Sequence, residues 1–214
     1  MSGVGKTSLS TTLAKSGWFH YSGDVRIGRH YLKNDVPESD KIAMKNLAPL
    51  SRWLGRPGNP ALGGMAIGEF KRRLKLHHDS EVAAMLDVPE MITQSRQDGF
   101  TNFINDAGGS LCELDAPAVF ETLAAHTLIV YIKATPEEED ELFRRAVAKP
   151  KPLYYPPAFL DGLIADYLAQ SGDTHADAMS PDDFFRFAFP KLFQARLPKY
   201  EAIAQKYGVT VSTT

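Results

Sequence analysis

A glycine–lysine turn at the start of the chain constrains this sequence more than any other feature. Gly3-Val4-Gly5-Lys6-Thr7 stands directly before a segment in which Leu9, Leu13 and Ala14 share one helical face. It completes all but the first glycine of the pattern G-x-x-x-x-G-K-[S/T]. Each residue type has a physical reason. Glycines let successive backbone N–H groups turn inward around an anion, and the helix N-terminus adds partial positive charge. The lysine reaches the outer phosphates, and the threonine hydroxyl ligates Mg²⁺. At average residue usage a G-x-G-K-[S/T] arises on the order of once in a hundred chains of this length, so an incidental glycine-rich tail ahead of a helix is the weaker reading. The expectation is a phosphate cradle built from Ser2, Gly3, Val4, Gly5, Lys6, Thr7 and Ser8, with Lys6 catalytic and Thr7 on the metal.

Such a loop closes the first, central strand of its sheet, and that strand has neighbours on both sides. No residues precede the loop here to form it. The expectation is that Met1 is internal to a longer protein whose upstream sequence supplies an apolar strand ending in glycine. Ser212-Thr213-Thr214, good N-cap residues after a short strand at 209–211, hint at a further helix in the same way.

The 214 residues suit one sizeable domain, and 43% apolar residues suffice for its core. A formal net charge of −2 carries no polybasic signature, so neither nucleic acid nor an anionic membrane surface is an expected partner. Cys112 is the sole cysteine and the six histidines show no ligand spacing, which leaves no internal disulfide or cysteine-based zinc site. No apolar run nears the roughly 18 residues of a membrane span, and the N-terminus lacks the layout of a signal peptide. A reducing cytoplasm is the expected home.

Strand and helix signals alternate, as in an α/β fold with a mainly parallel sheet. Trp18–Ser22 reads as a short strand running into Gly23-Asp24. A second strand, 101–105, ends at Asp106 and the turn Gly108-Gly109. The third, 127–132, is continuously apolar, like a strand covered on both faces. Thr135-Pro136-Glu137-Glu138 has the residues of a helix-opening capping box, and Ser180-Pro181-Asp182-Asp183 repeats that chemistry. A last helix leads through 200–207 to Gly208. Two stretches look inserted: 55–68, rich in Gly and Pro and followed by a charged helix over 69–86, and 149–157, whose four prolines argue against a helix. No repeat or linker divides residues 1–214.

Four patches, taken in order, carry a resemblance. They are the loop Ser2–Thr7; His20-Tyr21-Ser22-Gly23-Asp24; Ile104-Asn105-Asp106-Ala107-Gly108-Gly109-Ser110; and Arg196-Leu197-Pro198-Lys199-Tyr200-Glu201-Ala202-Ile203-Ala204. Together they resemble the nucleoside- and shikimate-kinase branch of the P-loop NTPases, and also a group of bacterial proteins known only as P-loop ATPases. The resemblance implies a three-layer α/β/α domain that uses ATP and Mg²⁺ and moves the γ-phosphoryl group to a small, anionic, hydroxyl-bearing metabolite. It places Asp24 on the second acid of a strand-end D-x-D, with Ser22 in place of the first. It places Gly108 and Gly109 in an acceptor-holding glycine triplet, with Ala107 in place of one glycine. Arg196 falls on the arginine that binds the acceptor's anionic group. The insertion 49–86 rebuilds the acceptor side, so shikimate itself is not the expected substrate. ATP rather than GTP rests on this analogy, since no guanine-reading N-K-x-D is present.

Each candidate has a plainer alternative. Asp106 could hold Mg²⁺ as a strand-end acid does, or form the turn before Gly108-Gly109. Asp24 could orient or deprotonate an acceptor hydroxyl, or cap a helix over 25–32. Arg26 and Arg29, one turn apart, could pair an acceptor anion or lie on a solvated face. Residues 144–157 fall where these kinases carry a mobile lid; its family arginine is replaced in Lys151-Pro152-Leu153. Arg144 and Arg145 would then neutralise transition-state charge, unless they only complement a helix C-terminus. Lys71-Arg72-Arg73, Lys75 and His77-His78 form one basic cluster, which could bind an anionic acceptor or a nucleic-acid end, and which is read instead as the polar side of the inserted helix. A second functional reading, an ATPase or nucleotide-dependent switch working with a protein partner and no small acceptor, is compatible with the same residues.

Overall fold

The computed structural model describes residues 4–36 and 48–213. Ser2 and Gly3 of the expected cradle lie outside the described residues. Gly5 caps the first helix, α1 (Lys6–Lys15), with φ at 96°, a left-handed turn that glycine enters without strain. Then come β1 (Trp18–Ser22), α2 (Gly23–Arg26) with a π-type turn at Ile27–Tyr31, α3 (Ala48–Leu54), α4 (Ile67–Leu86), α5 (Val88–Gln97) and β2 (Asn102–Asp106). The chain continues through α6 (Pro117–His126), β3 (Ile129–Lys133), α7 (Pro136–Ala148), α8 (Pro157–Ser171), α9 (Pro181–Tyr207) and β4 (Gly208–Ser212). No helix among the described residues is long and apolar enough to cross a membrane.

The local signals read from the sequence are present as hydrogen bonds. At α7 the Glu138 N–H donates to Thr135 Oγ1 (3.3 Å) while the Thr135 N–H donates to Glu138 Oε2 (2.8 Å), a complete capping box. Ser180 caps α9 by accepting from the Asp183 N–H at 3.3 Å. Residues 150–156 are not helical, and the inserted helix runs from Ile67 to Leu86.

The four strands among the described residues pair in parallel, yet as two halves rather than one sheet. β1 pairs with β2, Trp18 opposite Asn102 and Ser22 opposite Asp106; β3 pairs with β4, Ile129 opposite Gly208. The mainly parallel α/β character expected from the sequence is thus met, and the single sheet is not. A cavity of about 600 Å³ separates the halves; it is lined by every residue of β2 and by Ile129, Val130, Tyr131 and Ile132 of β3. The third strand is also not covered on both faces. Tyr131 stacks on Tyr200 of α9 (5.4 Å between centroids), while Val130, Val209 and Val211 are 41–49% exposed.

The main core lies under α4, α8 and α9, where Phe70, Leu74, Met85, Leu160, Phe184 and Leu192 are buried. Burying side chains of this size stabilises a fold by about 1.5–3 kcal/mol each relative to exposure. Tyr155, from the proline-rich stretch, sits in this core with its ring 6.3 Å from those of Phe70 and Phe184, so that stretch is pinned by an aromatic anchor.

Candidate functional site

The parallel register of β1 and β2 brings two strand ends to one edge, the edge where open α/β sheets bind ligands. Asp106 ends β2, and Asp24 lies two residues beyond the end of β1. Ser22, not Asp24, caps the helix that follows, its Oγ accepting from the Val25 N–H at 3.4 Å. The capping alternative for Asp24 therefore falls away, and its carboxylate is left for the cavity.

That cavity, about 400 Å³, is lined together by Gly5, Lys6, Thr7 and Ser8 at the head of α1, by Asp24 and Asp106, by the turn from Ala107 to Ser110, and by Arg196. Residues that the sequence spreads over most of its length converge here. His77 and Leu54 of the inserted segment and Lys151-Pro152-Leu153-Tyr154 of the proline-rich stretch complete the wall. Val4 lies elsewhere: it lines the cavity between the half-sheets and a small hollow shared with Glu138, Arg145 and Thr213.

Charge in the site is concentrated and partly desolvated. Burial, the largest influence, lowers the pKa of the Lys6 ammonium, while the charges of Asp106 and then Asp24 pull it back up. Burial followed by the charge of Asp106 pushes Asp24 up to about 6, with Lys6 opposing. The set Thr7 hydroxyl, Asp106 and Asp24 offers hard oxygen donors on one wall. It suits a Mg²⁺ ion that keeps several waters and takes its remaining ligands from phosphates.

The inserted helix contributes two buried polar side chains: His77, which lines the cavity, and Glu81, which lies behind the glycine turn and which sequence reasoning did not single out. Glu81, 1% exposed, accepts from Ser110 Oγ at 2.6 Å, while its Oε1 finds no hydrogen-bond partner among the described residues. Burial first, then the charge of Asp24, raises Glu81 to about 7 against the Ser110 bond. His77 Nδ1, 3.7 Å from Glu81 Oε2, is likewise buried without a partner, and burial followed by the charge of His78 lowers its pKa to about 4. The signal was present as spacing: Phe70, Leu74, His77, Glu81 and Met85 form one helical stripe, so two polar residues sit on an apolar face. The rest of the basic cluster is the expected polar side, with Lys71 on Asp161 (2.6 Å) and Lys75 on Asp79 (2.6 Å). Gly108 belongs to the same contact, because a Cβ there would stand 2.5 Å from Glu81 Oε1.

Other candidates turn out to be engaged within the protein. Arg196 is buried, donating from Nε to Glu113 Oε1 (3.1 Å) and from Nη2 to the Tyr154 carbonyl (2.8 Å). Lys199 also pairs with Glu113, and the Tyr200 hydroxyl donates to the Gly109 carbonyl. The R-x-P-x-Y segment thus holds both the glycine turn and the proline-rich stretch in place. Arg26 is likewise committed, to Asp87 (2.7 and 2.8 Å), and is not directed at an acceptor. Arg144 and Arg145 do not line the site; Arg144 is exposed and pairs with Glu141 at 2.8 Å, and Lys151 is the cation of that region that reaches the wall.

No family model, no curated protein and no solved structure matches this chain.

Proposed function

We propose that the chain binds ATP·Mg²⁺ through Gly5, Lys6, Thr7 and Ser8 and transfers the γ-phosphoryl group to a small, anionic metabolite bearing a hydroxyl. One observation carries this reading: the phosphate-type loop, Asp24, His77 and the glycine turn line one cavity at the strand ends. A loop for phosphates alone would need no second polar wall. His77 on that wall, whose Nδ1 is buried without a hydrogen-bond partner among the described residues, favours a polar acceptor.

In this reading Lys6 and the α1 N-terminus hold the β- and γ-phosphates. Thr7 and Asp106 would hold Mg²⁺, whose charge would screen the phosphate oxygens. The acceptor oxygen attacks the γ-phosphorus, the bond to the bridging oxygen breaks, ADP leaves, and the hydroxyl proton passes to Asp24. A carboxyl raised to about 6 is still mostly ionised near pH 7 and is a stronger base than an ordinary aspartate. The stretch from Lys151 to Tyr154 forms one side of that cavity.

Calorimetry with ATP and Mg²⁺ tests the binding, with Lys6→Ala as the control; a thermal-shift screen of hydroxyl metabolites in the presence of ATP·Mg²⁺ then tests the acceptor. The expected result is nucleotide binding weakened at least tenfold in Lys6→Ala and a further shift from an anionic alcohol. Equal binding by both chains overturns the phosphate grip. Turnover raised by a macromolecule and by no metabolite favours the partner-dependent ATPase instead.

A further inference from the structure

The cavity that holds the phosphate loop is also lined by residues with no charge to offer a phosphate. Leu50 and Leu54 of α3 and Leu153 of the proline-rich stretch are apolar, and His77 of α4 lines the cavity with them. Burial, then the charge of His78, lowers the His77 imidazole to about 4, so it is neutral near pH 7. Two contacts set its ring. One face stacks on Tyr154 (5.9 Å between centroids, 29° between planes), and the Tyr154 carbonyl is held in turn by Arg196 at 2.8 Å. Nδ1 is turned to Glu81 Oε2 at 3.7 Å and is buried with no hydrogen-bond partner among the described residues. That oxygen already accepts from the Ser110 hydroxyl at 2.6 Å. Toward such an oxygen an imidazole nitrogen is attractive as an N–H and repulsive as a lone pair, so the proton belongs on Nδ1. In that tautomer Nε2 carries the lone pair, on the ring edge away from Glu81.

We propose that Glu81 fixes the Nδ1–H tautomer of His77, and that His77 Nε2, lying with Leu50, Leu54 and Leu153 on the cavity wall, accepts a hydrogen bond from the bound metabolite. His77 is then a specificity-determining residue and Glu81 its positioning residue. The ligand class follows from the chemistry of that wall. Besides the hydroxyl that receives the phosphoryl group, the metabolite carries a second, neutral donor, a hydroxyl or an amide N–H, on an aliphatic body that packs against the leucines. A ketone or ether at that point would set one lone pair against another, and a site built around a hydrogen bond discriminates strongly against the analogue that cannot make it. A carboxylate or phosphate would meet the same lone pair, so the metabolite's negative charge lies elsewhere on the wall. This inference names the substrate class of the phosphotransfer reading and rests on it for the first hydroxyl.

The test needs no nucleotide, so its failure and the failure of ATP binding are separate results. Ring-nitrogen NMR of the isotope-labelled protein reads the tautomer of His77 directly, with His77→Gln giving the assignment. Nε2 should resonate as an unprotonated nitrogen in the parent. In Glu81→Leu, which removes the acceptor from Nδ1, the population with its proton on Nε2 should rise. Isopropanol and acetone, added separately to a few per cent by volume, are the probes: they share an aliphatic body and differ in that isopropanol can donate. Isopropanol should move the Nε2 resonance toward the protonated range, and acetone should leave it in place. A protonated Nε2 in the parent overturns the proposal. Equal shifts with the two probes, or no shift with either, overturn it as well. Should Glu81→Leu fail to fold, the parent's tautomer and its response to the two probes still decide.

Discussion

The Ser110 hydroxyl donates to Glu81 Oε2 over 2.6 Å, and this one bond ties the inserted helix α4 to the glycine turn after β2. The turn approaches so closely that Gly108 admits no Cβ on the side of Glu81 Oε1. The insertion is therefore packed directly behind the glycine turn. Both residues are buried, and burial pushes the Glu81 carboxyl up to about 7.

Glu81 makes stability fall as pH rises. In the unfolded chain it titrates near 4.3, and in the folded chain near 7, so the folded state holds the extra proton between those values. Its contribution is complete at low pH and lost as pH climbs through 7. Asp24, raised to about 6, acts in the same direction. His77 acts in the opposite one: lowered to about 4 from an unfolded value near 6.5, it adds stability as pH rises across that window. Glu81→Gln removes only the first contribution. Between pH 5 and 7.5 the parent's melting temperature should drop relative to the variant's by roughly 5–10 °C, on the order of 2–3 kcal/mol. Parallel melting curves would show that Glu81 is ionised throughout.

Arg196 and Glu113 form a buried pair, and the arginine's second bond holds Tyr154. Arg196→Met leaves Glu113 with Lys199 alone and should cost about 3–5 kcal/mol. Adding Glu113→Gln should restore part of that loss, making the double variant at least ~1 kcal/mol better than the sum of the singles. Urea midpoints decide it. Strict additivity would mean that the pair is not coupled. Hydrogen exchange over 150–156 should rise in Arg196→Met, because the Tyr154 carbonyl loses its donor.

What could be read in the sequence was what short-range hydrogen bonds decide. The Thr135 box, the Ser180 cap, the four strands and the break at 150–156 each depend on a few neighbouring residues. The strand-end acids Asp24 and Asp106 were legible for the same reason, since strand ends in a parallel sheet share an edge. The remainder depended on packing between distant segments. Pro190 and Pro198 argue against a continuous helix, yet α9 runs from Pro181 to Tyr207 because Phe184, Leu192, Phe193 and Tyr200 are buried along it. The commitment of Arg196 to Glu113, 83 residues away, has no local signature. Arg26 was ambiguous until α5's cap residue Asp87 met it.

The cations after α7 can be separated experimentally. Arg144 is exposed on Glu141, Arg145 faces the hollow with Glu138, and Lys151 alone of the three reaches the wall that also holds Lys6 and Thr7. Tyr155, buried in the core, restrains the stretch from swinging as a free lid. If catalysis occurs in the arrangement seen here, Lys151→Ala should lower ATP·Mg²⁺ turnover at least tenfold, a loss of about 1.4 kcal/mol in transition-state stabilisation. Arg144→Ala and Arg145→Ala should each stay within about twofold, as for surface pairs worth less than 1 kcal/mol. The reverse pattern, with the arginine variants impaired and Lys151→Ala active, would require α7's C-terminal end to move onto the phosphates during the reaction. Release of ADP, followed in a coupled assay at saturating Mg²⁺, distinguishes the two. Pro150 and Pro152 restrict the backbone of Lys151, and Lys151 lines the cavity that holds Lys6 and Thr7, where its ammonium can meet developing charge, which is the physical ground for assigning it the role.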